Sequence, residues 1–290
     1  MLESVVTSMK SAKIGVMPAN EDIPAGAFAG RFPRTSLVCI NLNQYGPQQL
    51  RDCVPYVAGL GRQVVTSGRT PFWSVPMPGA RAVEAVNEGI YDDLYTAIGD
   101  AIVAVQPGAS TIYVRPPWEF GLAWQENAAL DRSGKANAKL YTRAWRRISA
   151  LLRAGAPGRI RIVWCPAVDS AGEVVKARDV WPGVRHVDVI APDFYMGYTF
   201  GHTPGAFRGW FAPMMADLIA FAREKGKPFG LSEVGFDSDD FAADAAATFA
   251  MVKAAPTGVE FINWWQNPAV IDCRLTVDAR PAIAKLFQAL

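Results

Sequence analysis

Two glutamates close short apolar runs in this chain. Glu119 ends Thr111-Ile112-Tyr113-Val114-Arg115-Pro116-Pro117-Trp118-Glu119, and Glu233 ends Lys227-Pro228-Phe229-Gly230-Leu231-Ser232-Glu233. Each run reads as a buried parallel strand whose carboxylate emerges at the C-terminal tip. Two carboxyl groups placed that way in one barrel can share the cleavage of a glycosidic bond, one protonating the leaving oxygen and the other attacking the anomeric carbon. The two tasks need opposite protonation states, which environment must impose. Trp118 and Phe120 give Glu119 an apolar setting that suits the acid. Arg115 shares strand parity with Glu119 and is expected to point into the barrel below it, where its charge would hold Glu233 ionised. Pro116-Pro117 can break that parity. Glu21, Glu126 and Glu173 are rival carboxylates that lie further into loops.

Such carboxylates need strands to carry them. Strand candidates are Lys13–Met17, Ser36–Asn41, Thr70–Val75, Thr111–Arg115, Arg159–Trp164, Val187–Ala191, Pro228–Ser232 and Val259–Trp264. Most are followed by segments of helical period, the pattern of an α/β fold of the (β/α)8 TIM-barrel type. Tyr91, Leu94, Tyr95, Ile98, Ile102 and Val105 form one apolar stripe; Leu140, Ala144, Ile148 and Leu151 form another. Met214, Leu218 and Phe221 form a third, on a helix stopped by Gly226 before Pro228. Pro24 to Arg34, rich in Gly, Ala and Pro, reads mostly as loop. No linker or internal repeat interrupts the chain, so residues 1–290 are read as a single catalytic domain.

Composition narrows the function classes. Half of the 290 residues are hydrophobic, enough for a large core, and the net charge is +2 with no charge run, which points away from nucleic acid. No apolar stretch has the length of a membrane span, and Met1 to Lys13 lacks the pattern of a secretory signal. The compartment stays open between secreted, periplasmic and cytoplasmic. Cys39, Cys53, Cys165 and Cys273 show no C-x-x-C spacing and read as buried thiols; a Cys39–Cys53 disulfide needs an oxidising compartment. With two histidines, His186 and His202, no His-rich metal site is expected, and neither metal nor organic cofactor is implied. The expected state is a monomer.

Several segments resemble glycoside hydrolase family 26, the β-mannanase type, within the clan A glycoside hydrolases. Asn87-Glu88-Gly89-Ile90-Tyr91-Asp92-Asp93 is similar to that family's helix start before strand four, and Tyr113 to Phe120 to its acid/base strand. Tyr141-Thr142-Arg143-Ala144-Trp145-Arg146 and Arg161-Ile162-Val163-Trp164-Cys165-Pro166 resemble the helix and strand that follow. Trp181-Pro182-Gly183 with Asp193-Phe194-Tyr195, and Lys227 to Gly235, complete the series in the same order. The resemblance implies a retaining hydrolase with Glu119 as acid/base and Glu233 as nucleophile. It also implies Tyr195 beside the nucleophile and an aromatic platform at Trp264 or Trp265. One position departs: the family has His, and the clan usually Asn, where this chain has Trp118. An indole offers a single donor, so either another residue reads the sugar hydroxyl there or the substrate differs.

Sugar rings present apolar C–H faces, which aromatic side chains cover. Trp73, Trp118, Trp124, Trp164, Trp264 and Trp265 lie at or just past strand ends, and Tyr195, Tyr198, Phe200 and His202 follow strand six. Strand alternation sends one of Trp264 and Trp265 to the barrel axis and the other to the helices. Trp145 and Trp210 read as core. Asn20, Asn41, Asn43 and Gln44 either bind hydroxyls or serve turns. The expected function is endo-acting, retaining hydrolysis of a polysaccharide, either β-mannan-like or a bacterial exopolysaccharide or cell-wall glycan. The alternative is a glycan-binding barrel without catalysis.

Overall fold

The computed structural model describes residues 12–19, 30–42, 46–79, 81–169, 173–268, 271–275 and 279–290. Its strands are β1 (Lys13–Met17), β2 (Thr35–Asn41), β3 (Thr70–Ser74), β4 (Ile112–Arg115), β5 (Ile160–Trp164), β6 (Val189–Ile190), β7 (Asp193–Met196), β8 (Phe229–Phe236) and β9 (Val259–Trp265). Their order in the sheet is β6-β5-β4-β3-β2-β1-β9-β8-β7, and β6 also pairs with β8. The pairings with an assigned register are parallel, and parallel neighbours need crossover helices. Here these are α1 (Pro47–Thr66), α2 (Val83–Glu88), α3 (Asp92–Val105), α4 (Ala138–Ala154), α5 (Ala212–Lys225), α6 (Ala242–Lys253) and α7 (Pro281–Gln288). This is the strand and helix order of a (β/α)8 barrel.

Contacts sort the chain into two units, Ile40–Val189 and the remainder. In the unit Ile40–Val189, α3 buries Leu94, Tyr95, Ile98, Ile102 and Val105, the stripe its periodicity predicts. Gly99 lets α3 and α4 touch: a Cβ there would lie 2.8 Å from the Leu152 carbonyl oxygen. Gly61 of α1 does the same for the Trp73 indole, whose ring carbons would lie 2.8 and 3.0 Å from an added Cβ. In the other unit, Phe236 of β8 stacks on Trp264 of β9 with centroids 6.2 Å apart, and Trp264 meets Phe287 of α7 at 5.3 Å. Helix α5 stops at Gly226, whose φ of 63° places it in the left-handed region.

Some elements differ from the sequence reading. The sixth strand is broken at Ala191-Pro192, since proline has no N–H to give a ladder. The Pro192 and Ala191 carbonyls instead accept from the backbone N (3.0 Å) and Oγ (2.9 Å) of Ser232. Strand β8 runs on to Phe236, so Glu233 sits inside the strand rather than at its tip. A π-helical turn, Phe207–Phe211, precedes α5, and that helix buries Met215 rather than Met214, together with Leu218 and Phe221. Trp210, read as core, is 75% exposed on that turn; its neighbours Phe207 and Phe211 take the buried side. Trp145 is buried. All four cysteines are buried thiols. Glu21, Asn20, Asn43, Gln44 and most of Pro24–Arg34 lie outside the described residues.

Candidate functional site

Each candidate glutamate sits in its own cluster. The first is built on the ends of β2 to β5. Arg115 closes β4 and is fully buried. Its Nε donates to Ser74 Oγ of β3 (3.0 Å), its Nη2 to Asn41 Oδ1 of β2 (3.4 Å), and its Nη1 lies 3.7 Å from Cys165 Sγ. The guanidinium stacks over the Trp118 ring, 4.6 Å from the centroid. Trp118, almost fully buried, therefore covers a fixed positive charge.

Between these two residues the chain turns at Pro116-Pro117. The Pro117 carbonyl accepts from Tyr141 Oη (3.1 Å) and Trp145 Nε1 (3.2 Å), two buried donors of α4. Burial holds the Tyr141 phenol well above its ordinary pKa, so it stays a donor. So clamped, the chain delivers Glu119 in a left-handed conformation, φ 51°. A residue with a Cβ pays for that conformation by about 1–2 kcal/mol. The Glu119 backbone N–H donates to the Cys165 carbonyl at 2.9 Å. The side chain is buried, and Gln125 Nε2 donates to Glu119 Oε2. Sequence reading did not single out Gln125, because a loop contact across six positions has no periodicity to betray it. Trp124, on the same turn, is 63% exposed. Asn127 Oδ1 accepts from Met77 N at 2.9 Å, tying this loop to the one after β3.

The second cluster belongs to β7, β8 and β9. Glu233 is buried, pairs in register with Asp193, and accepts a hydrogen bond at Oε2 from Tyr195 Oη. The Trp265 ring meets Tyr195 edge-on, centroids 5.6 Å apart. Trp265 thus lies on the Glu233 side of the strands, and Trp264 lies on the helix side with Phe287. The indole N–H of Trp265 donates to the Ile271 carbonyl (3.0 Å) and that of Trp264 to the Cys273 carbonyl (2.8 Å). Beyond Tyr195 the rings continue through Phe200, His202 and Phe211. His202 Nδ1 accepts from the Gly197 N–H at 3.3 Å, which fixes the neutral tautomer with its proton on Nε2.

This loop is pinned by aspartates that follow β8. Asp237 accepts from Tyr198 N (3.1 Å) and from Thr199 N and Oγ1 (both 2.9 Å). Asp244 accepts from Gly205 N (2.8 Å) and Phe207 N (3.1 Å). Tyr198, exposed, donates to Asp240 Oδ2 at 2.9 Å, and that bond raises the pKa of its phenol. Trp73 joins neither cluster, since its indole is buried against α1. Among the described residues no group of three or more His, Cys, Asp or Glu is arranged to hold a metal ion, and no helix is long and apolar enough to cross a membrane.

The architecture matches solved enzymes of one family. A glycoside hydrolase family 26 β-mannanase from Bacteroides ovatus aligns over 99% of this chain and 90% of its own, with a TM-score of 0.66 and 14% identity. The catalytic domain of a family 26 endo-β-1,4-mannanase from Bacillus sp. JAMB-750 aligns over 98% and 86%, with a TM-score of 0.70 and 13% identity. An endo-β-1,4-mannanase from Cellulomonas fimi aligns over 97% and 70%, with a TM-score of 0.68 and 14% identity. This chain has the family 26 mannanase fold. At 13–14% identity the likeness establishes the fold alone. No family profile matches the chain, and no curated protein sequence does.

Proposed function

We propose that this protein is a retaining glycoside hydrolase that cleaves a polysaccharide internally. The observation that carries the reading is Glu119: a buried carboxyl at φ 51°, on the loop that follows β4, on backbone clamped from α4. Strain of this kind persists where surrounding structure enforces it, and it concentrates at active sites. The buried Glu233 with its phenol partner, and a fold shared with mannanases, support the same reading.

In this mechanism Glu233 attacks the anomeric carbon as a carboxylate while Glu119 gives its proton to the departing oxygen. A covalent glycosyl-enzyme results. Glu119, now ionised, takes a proton from water, and the hydroxide so formed displaces Glu233 from the sugar. Tyr195 orients the nucleophile by its hydrogen bond, and Arg115 supplies a fixed positive charge at the end of β4. Trp124, Tyr198, His202 and Trp265 offer ring faces to the glycan, and Tyr198 and His202 add polar edges; Trp118 acts through Arg115. The substrate is a β-mannan-like glycan or, with indole where the family has imidazole, a bacterial exopolysaccharide or cell-wall glycan. The protein works as a monomer and a single domain without a cofactor.

The test is a screen against purified polysaccharides with mass analysis of the products, followed by two variants. Glu233→Ala and Glu119→Gln each lower turnover at least about a thousandfold while the fold is kept. A mechanism-based fluoro-sugar labels Glu233. Near-normal turnover in either variant refutes the assignment; binding without turnover or labelling means a glycan-binding barrel instead.

A further inference from the structure

Gln125 reaches Glu119 on a rigid path. The turn between them is closed by Leu122 N to Glu119 O and by Gln125 N to Leu122 O, each 3.0 Å, and Ala128 N holds the Gln125 carbonyl at 3.0 Å. The half-buried side-chain amide then donates from Nε2 to Glu119 Oε2. Pinned backbone therefore carries this amide to the carboxyl.

The chemistry of the partner matters. A primary amide has two donor hydrogens and an acceptor oxygen. Turned one way it donates to a carboxylate; turned about its last bond it accepts from a carboxylic acid O–H. A lysine or arginine in that place would hold Glu119 ionised, and a second carboxylate would hold it protonated. A group that is an acid in one step and a base in the next is poorly served by either charge.

We propose that Gln125 is a positioning residue for Glu119, a neutral partner that keeps the carboxyl in one orientation through both of its protonation states. The inference rests on the reading of Glu119 as acid/base. Among the described residues, titratable groups on the segments around this turn include Arg115, Cys165, Tyr141, Glu126, Asp169, Glu173 and Lys176, and substitution at position 125 leaves them all in place.

Gln125→Glu, Gln125→Lys and Gln125→Leu in the full chain test it. On a substrate found by the screen, the basic limb of the kcat/KM pH profile reports the general acid. It moves up by about one unit in Gln125→Glu and down by about one unit in Gln125→Lys. Gln125→Leu leaves the limb in place but lowers kcat about tenfold, with KM little changed. A purely structural role would lower activity without opposite shifts. Carboxyl carbon NMR of Glu119, assigned with Glu119→Gln, follows the same titration without any substrate. If the Glu119 titration moves in opposite directions but wild type cleaves nothing, the contact stands and the acid/base reading falls. If wild type is active and neither limb nor titration moves, the positioning role is overturned. Should a charged variant not fold, an unchanged kcat in Gln125→Leu overturns it.

Discussion

At the scale of single residues, Glu119 carries the clearest conflict between stability and function. Its left-handed backbone suits glycine better than any residue with a Cβ. Glu119→Gly is expected to unfold at the same denaturant concentration as wild type or a higher one, with a gain of up to about 1 kcal/mol, while losing activity. A stability loss above about 1 kcal/mol in urea titration would show that the conformation is not strained. The position of Glu119 after its strand was legible from sequence. Its φ was not, because the angle follows from donors on α4 that are 24 and 28 positions from Pro117. The partition of Trp264 and Trp265 was half legible: alternation required opposite sides, but the choice lay with Phe287 and Tyr195.

At the scale of elements, the loop after β7 depends on carboxylates that follow β8. Asp244 is buried at the start of α6 and serves two backbone N–H groups, those of Gly205 and Phe207. Asp244→Ala leaves both donors without their acceptor, at a cost of about 2–3 kcal/mol. Urea unfolding checks the magnitude, and hydrogen exchange checks the place, since the Gly205 and Phe207 amides should lose protection before those of β8. Unchanged protection there would mean that the loop holds its shape by ring packing alone. Strand existence was read well because a buried parallel strand is a short apolar run whatever its neighbours. Strand ends were read less well. Ser232-Glu233 looked like a strand tip because polarity rises there, whereas pairing with Asp193–Met196 carries β8 on to Phe236.

At the scale of the whole molecule, a balanced charge and a large apolar content leave few groups to control stability. Asp272 is one of them. Its hydrogen bonds from the Arg274 side chain lower its pKa from 3.8 to about 2, with Arg280 adding to the effect. A carboxyl with a depressed folded-state pKa contributes stability that is fully present above the unfolded value. That stability is lost as pH falls from about 4 through about 2. The pair is partly exposed, so salt and solvent reduce its worth. Wild type is therefore expected to exceed Asp272→Asn in stability at pH 6, and the gap should shrink as pH falls toward 2 and close only below it. Urea titrations of both proteins across that range measure the gap, and a constant gap would remove Asp272 from the account.

Chain chemistry alone determined that strands alternate with helices, that two glutamates follow apolar runs, and that aromatic residues gather near strand ends. Those properties are local, since periodicity and composition act within a few turns of backbone. Tertiary packing alone decided the backbone angle at Glu119, the amide that meets its carboxyl and the exposure of Trp210. Each depends on which side chains the fold brings alongside, and such neighbours leave no mark in the spacing of residues along the chain.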